Sequence, residues 1–383
     1  MNNDKTIQVF SNSLGIEEIR EIQAVFSSKW LGKGIHCESF ETEFAAMLGA
    51  KRVLLTSSCT SAIFIAIKAL GIRSGDEVIV SSINFIACAS AVLEVGGVLK
   101  FADVDSHTLN IKPSEIDRLK TARTRAVIVL HYGGHPCEID EIRAVCGDQI
   151  AIIEDSANSV ASSYKGKMCG TLGAASFFSF DAMKTLVMGD GGALIIKDEA
   201  AFDKANSLRY LGLSDRTKSG LETLKNDNTS RWWEYDVCEI SGRFIANDIL
   251  AAIGRVQLKK LPDFIARRRE IWDIYQRELK DIPGINLPPE EPKECTSSYY
   301  LYWIQLASHR DELARYLFKN SVYTTFRYYP LHLVNYFDSD VTLIDAESAS
   351  KRTLNLPLHQ NITDNDADKI IDLIKRFVLS RNI

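Results

Sequence analysis

Short, almost unbroken apolar runs set between helical segments decide what this chain can fold into. Glu77–Val80, Val98–Phe101, Ala126–Leu130, Ile150–Ile153, Ala175–Phe180 and Ala193–Ile196 recur in this way, and Arg52–Thr56 precedes them. A strand without alternating polar residues has no face to give to water and must be covered on both sides. Helices supply that cover in a mostly parallel sheet, so the expected class is α/β. Ligands in such sheets bind beyond the carboxyl ends of the strands. At 383 residues the chain exceeds what one core usually serves, which predicts two domains. The expected division is a large domain over 1–250, on a mostly parallel mixed sheet, and a smaller α+β C-terminal domain over 251–383.

The C-terminal part reads as follows. A helix over Ala246–Leu258 is interrupted at Leu261-Pro262, and a second runs over Asp263–Leu279 with Phe264, Ile271 and Tyr275 on its apolar stripe. Pro283–Pro292 reads as a linker. Strands are expected over Tyr299–Leu306 and Val322–Phe326, and helices over Arg310–Phe318 and Asp364–Phe377.

A net charge of −5 without a long basic tract argues against a nucleic-acid partner; Arg267-Arg268-Arg269 falls in a helical pattern and reads as a solvated face. No apolar run is long enough to span a bilayer, and the N-terminus lacks the apolar core of a secretory signal. Eight scattered cysteines without a C-x-x-C pair suit reduced thiols in the cytoplasm. No metal is expected, because no H-E-x-x-H or similar cluster occurs.

Chemistry-bearing residues gather at the strand ends. Arg52–Thr56 runs into Ser57-Ser58-Cys59-Thr60-Ser61 and then an apolar helix; these small residues either cap that helix or cradle an anion at its positive end. Phe85 stands on the turn after Glu77–Val80. Asp155 follows Ile150–Ile153 and is either a helix N-cap or the counter-charge of a buried cation. Lys184 lies between the run ending at Phe180 and a turn, Gly189-Asp190-Gly191-Gly192. It is either a solvated charge or a reactive amine held on a rigid scaffold. Lys33, in Trp30-Leu31-Gly32-Lys33-Gly34, sits in a glycine-flanked loop that either joins two helices or faces a substrate.

Taken together and in order, Trp30–Gly34, Ser57–Ala62, Glu154–Asn158, Phe178–Gly192, Ile253–Leu258, Tyr329-Pro330-Leu331-His332 and Leu356-Pro357-Leu358-His359 resemble the DegT/DnrJ/EryC-type sugar aminotransferases of fold type I, over almost the whole chain. The resemblance implies pyridoxal 5'-phosphate as cofactor. Lys184 matches the lysine that condenses with the cofactor aldehyde and then moves the proton. Asp155 matches the partner of the protonated ring nitrogen, and Phe85 the residue against the ring face. Asn158 stands where glutamine or histidine is often found and can still donate to the phenolic oxygen. Ser179, Thr60 and the backbone of Cys59 match the phosphate holders, Cys59 replacing a glycine or alanine. Arg243, where many relatives have asparagine or lysine, either reaches a partner's phosphate across a dimer or is a surface arginine.

The same resemblance implies a nucleotide-linked keto-deoxysugar as substrate, L-glutamate as donor and a homodimer with shared active sites. Val322–His332, together with Arg231-Trp232-Trp233-Glu234, looks most like enzymes acting on the C4 ketone of dTDP-4-keto-6-deoxyglucose. Lys33, Arg327, Tyr329 and His332 would then lie toward the sugar or its diphosphate. A 3-aminotransferase of a 3-keto-6-deoxyhexose is the rival with the same cofactor, and a non-catalytic nucleotide-binding module the rival of another class. Gly189-Asp190-Gly191-Gly192 leads into a strand and is not G-x-G-x-x-G, which weakens the latter.

Overall fold

The computed structural model describes residues 6–214 and 233–381. Its main sheet is built from β1 (Leu54–Thr56), β2 (Glu77–Ser81), β3 (Val98–Ala102), β4 (Thr124–Leu130) and β5 (Ala151–Asp155). After a small hairpin, β6 (Ser163–Tyr164) and β7 (Lys167–Met168), come the last two members, β8 (Ala175–Ser179) and β9 (Gly192–Ile196). The order across the sheet is β1-β9-β8-β5-β4-β2-β3. Neighbours from β8 to β3 are parallel, and β9 alone is antiparallel to both of its neighbours. This is the mostly parallel mixed sheet that the apolar runs predict.

Side-chain parity explains why those runs are unbroken. Val78, Val80, Ala126 and Ile128 enter one core, while Ile79, Val127 and Val129 enter another on the opposite face. Helices Cys59–Ala69 and Ile86–Glu94 contribute Ala62, Ile63 and Ala87 to the first core. Helices Pro113–Leu119 and Ile139–Cys146 contribute Ile116 and Ile142 to the second. Because only β9 is reversed, the loops after β1, β2, β4, β5 and β8 and the turn before β9 all open at one edge of the sheet.

A second, antiparallel sheet has the order β10 (Ile285–Asn286), β12 (Tyr302–Leu306) and β13 (Thr353–Leu356), while β11 (Cys295–Thr296) pairs with β6. Helices Arg310–Lys319 and Asp364–Arg381 lie where expected.

Four details differ from the sequence reading. Residues 248–279 form one helix straight through Pro262. Leu261 and Phe264 are buried on either side of that proline, so packing offsets the lost N–H and the clash, a penalty of about 3 kcal/mol in an unsupported helix. Val322–Phe326 makes only isolated bridges, and Thr353–Leu356 supplies the edge strand instead. The stretch read as a linker contains β10. Arg268 is fully buried rather than solvated, its guanidinium donating to the carbonyls of Tyr299 (3.2 Å) and Leu358 (2.9 Å). Among the described residues no helix is long and apolar enough to cross a membrane.

Candidate active site

At the edge where the loops converge lies a cleft of about 160 Å³ lined by Ser58, Cys59, Thr60, Phe85, Asp155, Ser179, Lys184, Arg327 and Tyr328 among others. A cavity of about 150 Å³ accepts a benzene ring, so this one has room for a six-membered aromatic ring.

One end of the cleft is an anion cradle. Ser58 caps helix Cys59–Ala69, its hydroxyl accepting from the Ser61 N–H at 3.1 Å. The N–H groups of the first turn have no intrahelical acceptor, and the helix dipole adds positive potential there. Ser179, the last residue of β8, faces the same space. Gly192 is what lets the parts meet. A Cβ there would lie 2.5 Å from the Cys59 nitrogen and 2.5 Å from the Ser58 carbonyl carbon. We therefore expect Gly192→Ala to push the helix start off β9, costing about 1–3 kcal/mol as overpacking does. Urea unfolding should show this loss, and the variant should also bind free phosphate ester more weakly.

At the other end two adjacent carboxylates have opposite fates, because successive residues of β5 face opposite sides. Glu154 is saturated: it accepts from the N–H groups of Gly170 (2.7 Å), Leu172 (2.7 Å) and Gly173 (2.6 Å) and pairs with His131 Nε2 at 3.0 Å. Burial works against its charge, but His131 and those N–H groups outweigh it and hold the carboxyl below its usual value. Asp155 faces the cleft with fewer partners, the Ala157 N–H at 3.1 Å on Oδ1 and the Cys88 thiol at 3.5 Å on Oδ2. Burial pushes the Asp155 carboxyl up, against the Ala157 N–H and the Lys184 charge. A cation placed beside it would relieve that penalty.

Lys184 is buried in the turn after β8, its N–H donating to the Asp181 carbonyl at 2.9 Å and its Nζ 4.8 Å from the centre of the Tyr300 ring. Burial alone would lower its pKa; Tyr300, Tyr328, Cys59 and Asp155 outweigh it and raise it. Asn158 is also buried, and neither polar atom of its amide has a partner among the described residues. A buried amide without partners is costly unless something occupies it. An anion cradle, a carboxylate short of a cation and a lysine in the cleft fit a flat, phosphorylated pyridine aldehyde; the orphaned Asn158 amide follows Ala157, which lines the cleft, but is not itself part of the lining.

Comparison with known proteins agrees. The sequence profile of the DegT/DnrJ/EryC1/StrS aminotransferase family matches residues 12–375. The chain belongs to this family. Its aminotransferases use pyridoxal phosphate. The protein is 43% identical, over 95% of both chains, to the dTDP-4-dehydro-2,3,6-trideoxy-D-glucose 4-aminotransferase of Saccharopolyspora spinosa. It superimposes on the aminotransferase TlmJ of Streptoalloteichus hindustanus with a TM-score of 0.92, at 41% identity and covering 98% and 99% of the two chains. A putative sugar aminotransferase of Streptococcus pneumoniae, solved in its PLP form, shares the fold at 23% identity, with a TM-score of 0.88 over 98% and 99% of the chains.

Not every residue singled out in this aminotransferase reaches the cleft. Cys59, Thr60, Phe85, Asp155, Ser179, Lys184 and Arg327 line it. Phe85 is 46% exposed there, its ring edge-on to Tyr328 at 5.9 Å. Tyr329 is exposed and turned to solvent beside it. His332 is buried outside the cleft: its Nδ1 is 2.6 Å from the Ser82 hydroxyl and its Nε2 3.5 Å from Glu347. With both ring nitrogens engaged it anchors the turn that carries Phe85 rather than facing a ligand. Lys33 and Arg243 stand on segments tied together by Asp248, whose N–H donates to the Gly32 carbonyl at 3.0 Å. The Asp248 carboxylate accepts from the N–H groups of Gly34 (2.8 Å) and Cys37 (3.0 Å). Neither lines the cleft of its own chain. Arg243 is exposed, with its guanidinium 5.6 Å from the Tyr210 ring. Arg231 and Trp232 lie outside the described residues, and Trp233 is exposed. The sequence reading missed Tyr300, Tyr328 and Cys88.

Proposed function

We propose that this aminotransferase transfers the amino group of L-glutamate to the C4 ketone of dTDP-4-keto-6-deoxyglucose, giving dTDP-4-amino-4,6-dideoxyglucose. It acts as a cytoplasmic homodimer with shared active sites. The observation that carries the chemistry is the convergence of Lys184, Asp155 and the start of helix Cys59–Ala69 on one cleft. The sugar class rests on relatives, one of which is named for 4-amination of a dTDP-linked 4-keto sugar.

When bound, pyridoxal phosphate supplies an electron sink that stabilises negative charge on the amine-bearing carbon. The chain does the rest. Ser179, Thr60 and the N–H of Cys59 hold the phosphate at the helix start. Asp155 would keep a proton on the ring nitrogen, Asn158 would donate to the phenolic oxygen, and Phe85 would cover the ring. Lys184 Nζ would be the group that accepts the proton from the donor carbon and gives it back on the other side of the exchange. Arg327, at the mouth, meets the anionic part of a substrate, and Tyr329 lies at the same rim. His332 acts from behind through Ser82. Lys33 and Arg243, neither of which lines the cleft of its own chain, complete the partner's site.

The test is direct. Purified protein with pyridoxal phosphate and L-glutamate is given either dTDP-4-keto-6-deoxyglucose or the 3-keto isomer, and the amino sugar is identified by mass spectrometry. We expect turnover of the 4-keto compound. Turnover of the 3-keto isomer alone would remove the C4 assignment.

A further inference from the structure

Two cations of this site and two rings beside it are linked by a run of three contacts. Lys184 Nζ lies 4.8 Å from the centre of the Tyr300 ring. Tyr300 stacks on Phe10 at 5.5 Å with 22° between the planes. The Arg327 guanidinium lies over the Phe10 ring, 4.5 Å from its centre. Phe10 comes from the N-terminal segment, which is built into the C-terminal part of the chain. The Ile7 N–H donates to the Ser321 carbonyl at 2.9 Å, and the Tyr323 N–H donates to the Ile7 carbonyl at 2.9 Å. Val9 is buried beside it.

Arg327 is held in an unusual way. Its backbone N–H donates to Asn355 Oδ1 at 2.8 Å, and its side chain reaches the Met183 sulfur at 3.1 Å. Among the described residues no carboxylate lies within ion-pair distance of its guanidinium. An arginine fixed by a carboxylate is largely neutralised. One fixed by a ring face keeps its forked donors and its charge for an incoming oxyanion. We propose that Phe10 is a specificity-determining positioning residue: by stacking on Tyr300 it presents the Arg327 guanidinium, oriented and unneutralised, to a carboxylate or phosphate oxygen of the substrate. This rests on the reading above that Arg327 meets the substrate's anionic part.

The experiment compares Phe10→Leu, Phe10→Met, Phe10→Tyr and Arg327→Met as holoenzymes, with KM measured separately for L-glutamate and for the nucleotide sugar. The visible absorbance of bound cofactor is recorded for each. Phe10→Leu and Phe10→Met should raise KM about tenfold, equivalent to about 1.4 kcal/mol, with kcat within about twofold and the cofactor spectrum unchanged. Phe10→Tyr, which keeps the ring, should restore KM. A rise for glutamate alone assigns the oxyanion to the donor carboxylate, and a rise for the sugar alone to the diphosphate. If Arg327→Met raises KM while both aliphatic Phe10 variants keep the wild-type value, the role of Phe10 is overturned and the reading of Arg327 stands. If Arg327→Met leaves both KM values unchanged, Arg327 itself is misassigned. A fall in kcat with an altered spectrum and unchanged KM would mean that Phe10 serves Lys184 through Tyr300, which also overturns the proposal.

Discussion

Lys184→Ala should have no measurable transamination and no borohydride-sensitive visible band, while the amine form of the cofactor still binds. A positioned acid–base group is worth about 10²–10⁴-fold in rate, and losing the covalent attachment adds to that. Among the described residues of the chain itself, Lys184 is the one amine lining the cleft; Arg327 is the other basic side chain there, and a guanidinium does not deprotonate in proteins. For the same reason Lys184→Arg should be as inactive as the alanine variant, despite keeping the positive charge beside Asp155. The phosphate cradle belongs to other elements, Ser58–Thr60 and Ser179, so binding of the amine form separates a chemical defect from a folding one. Residual turnover within tenfold of wild type in either variant would refute the role given to this amine.

How much of this was legible beforehand depended on whether a residue's task is set locally. Asp155, Lys184 and the Ser57–Ser61 turn are polar residues at the ends of apolar strands, where burial demands a reason, and the sheet brings their loops to one edge. Glu154 could not be told from Asp155 by composition; only the strand's parity and the three N–H groups of the 170–173 turn separate them. Tyr300 was hidden in Tyr299-Tyr300-Leu301-Tyr302-Trp303, which reads as core. Its place beside Lys184 is fixed by backbone pairing, the Gly133 carbonyl accepting from the N–H groups of both Tyr300 (2.9 Å) and Leu301 (3.1 Å). Pro262 misled for the complementary reason. A local rule predicts a break there, and burial of the flanking Leu261 and Phe264 overrides it. His332 shows the same limit: a histidine in a loop motif looks available until its two ring partners, Ser82 and Glu347, are placed.

Asp155→Asn should pull stability and function in opposite directions. The carboxyl's folded-state value lies above its ordinary 3.8, with burial the leading cause. A folded state that binds the proton more tightly than the unfolded one loses stability as pH rises through that window, and the loss persists at higher pH. Above that window the cofactor-free protein carries a buried charge that burial disfavours, offset only in part by the Ala157 N–H and the Lys184 charge. The asparagine variant, nearly the same shape and uncharged, should melt at a higher temperature than wild type when both lack cofactor. That advantage should shrink as pH falls below the ordinary carboxyl value, where wild type is neutral as well. With cofactor bound the balance reverses. A close carboxylate raises the pKa of a cationic partner by roughly 1–3 units, and each unit is tenfold in protonated fraction once the value drops below the working pH. Turnover of Asp155→Asn should thus fall by about 10–10³-fold, and less so in acid, where solvent protonates the ring nitrogen unaided. A cofactor-free variant that melts below wild type at neutral pH would mean that the carboxylate is held for structure. Undiminished turnover would mean that the ring nitrogen needs no charged partner. Only the two results together identify a charge that the fold tolerates for the sake of the reaction.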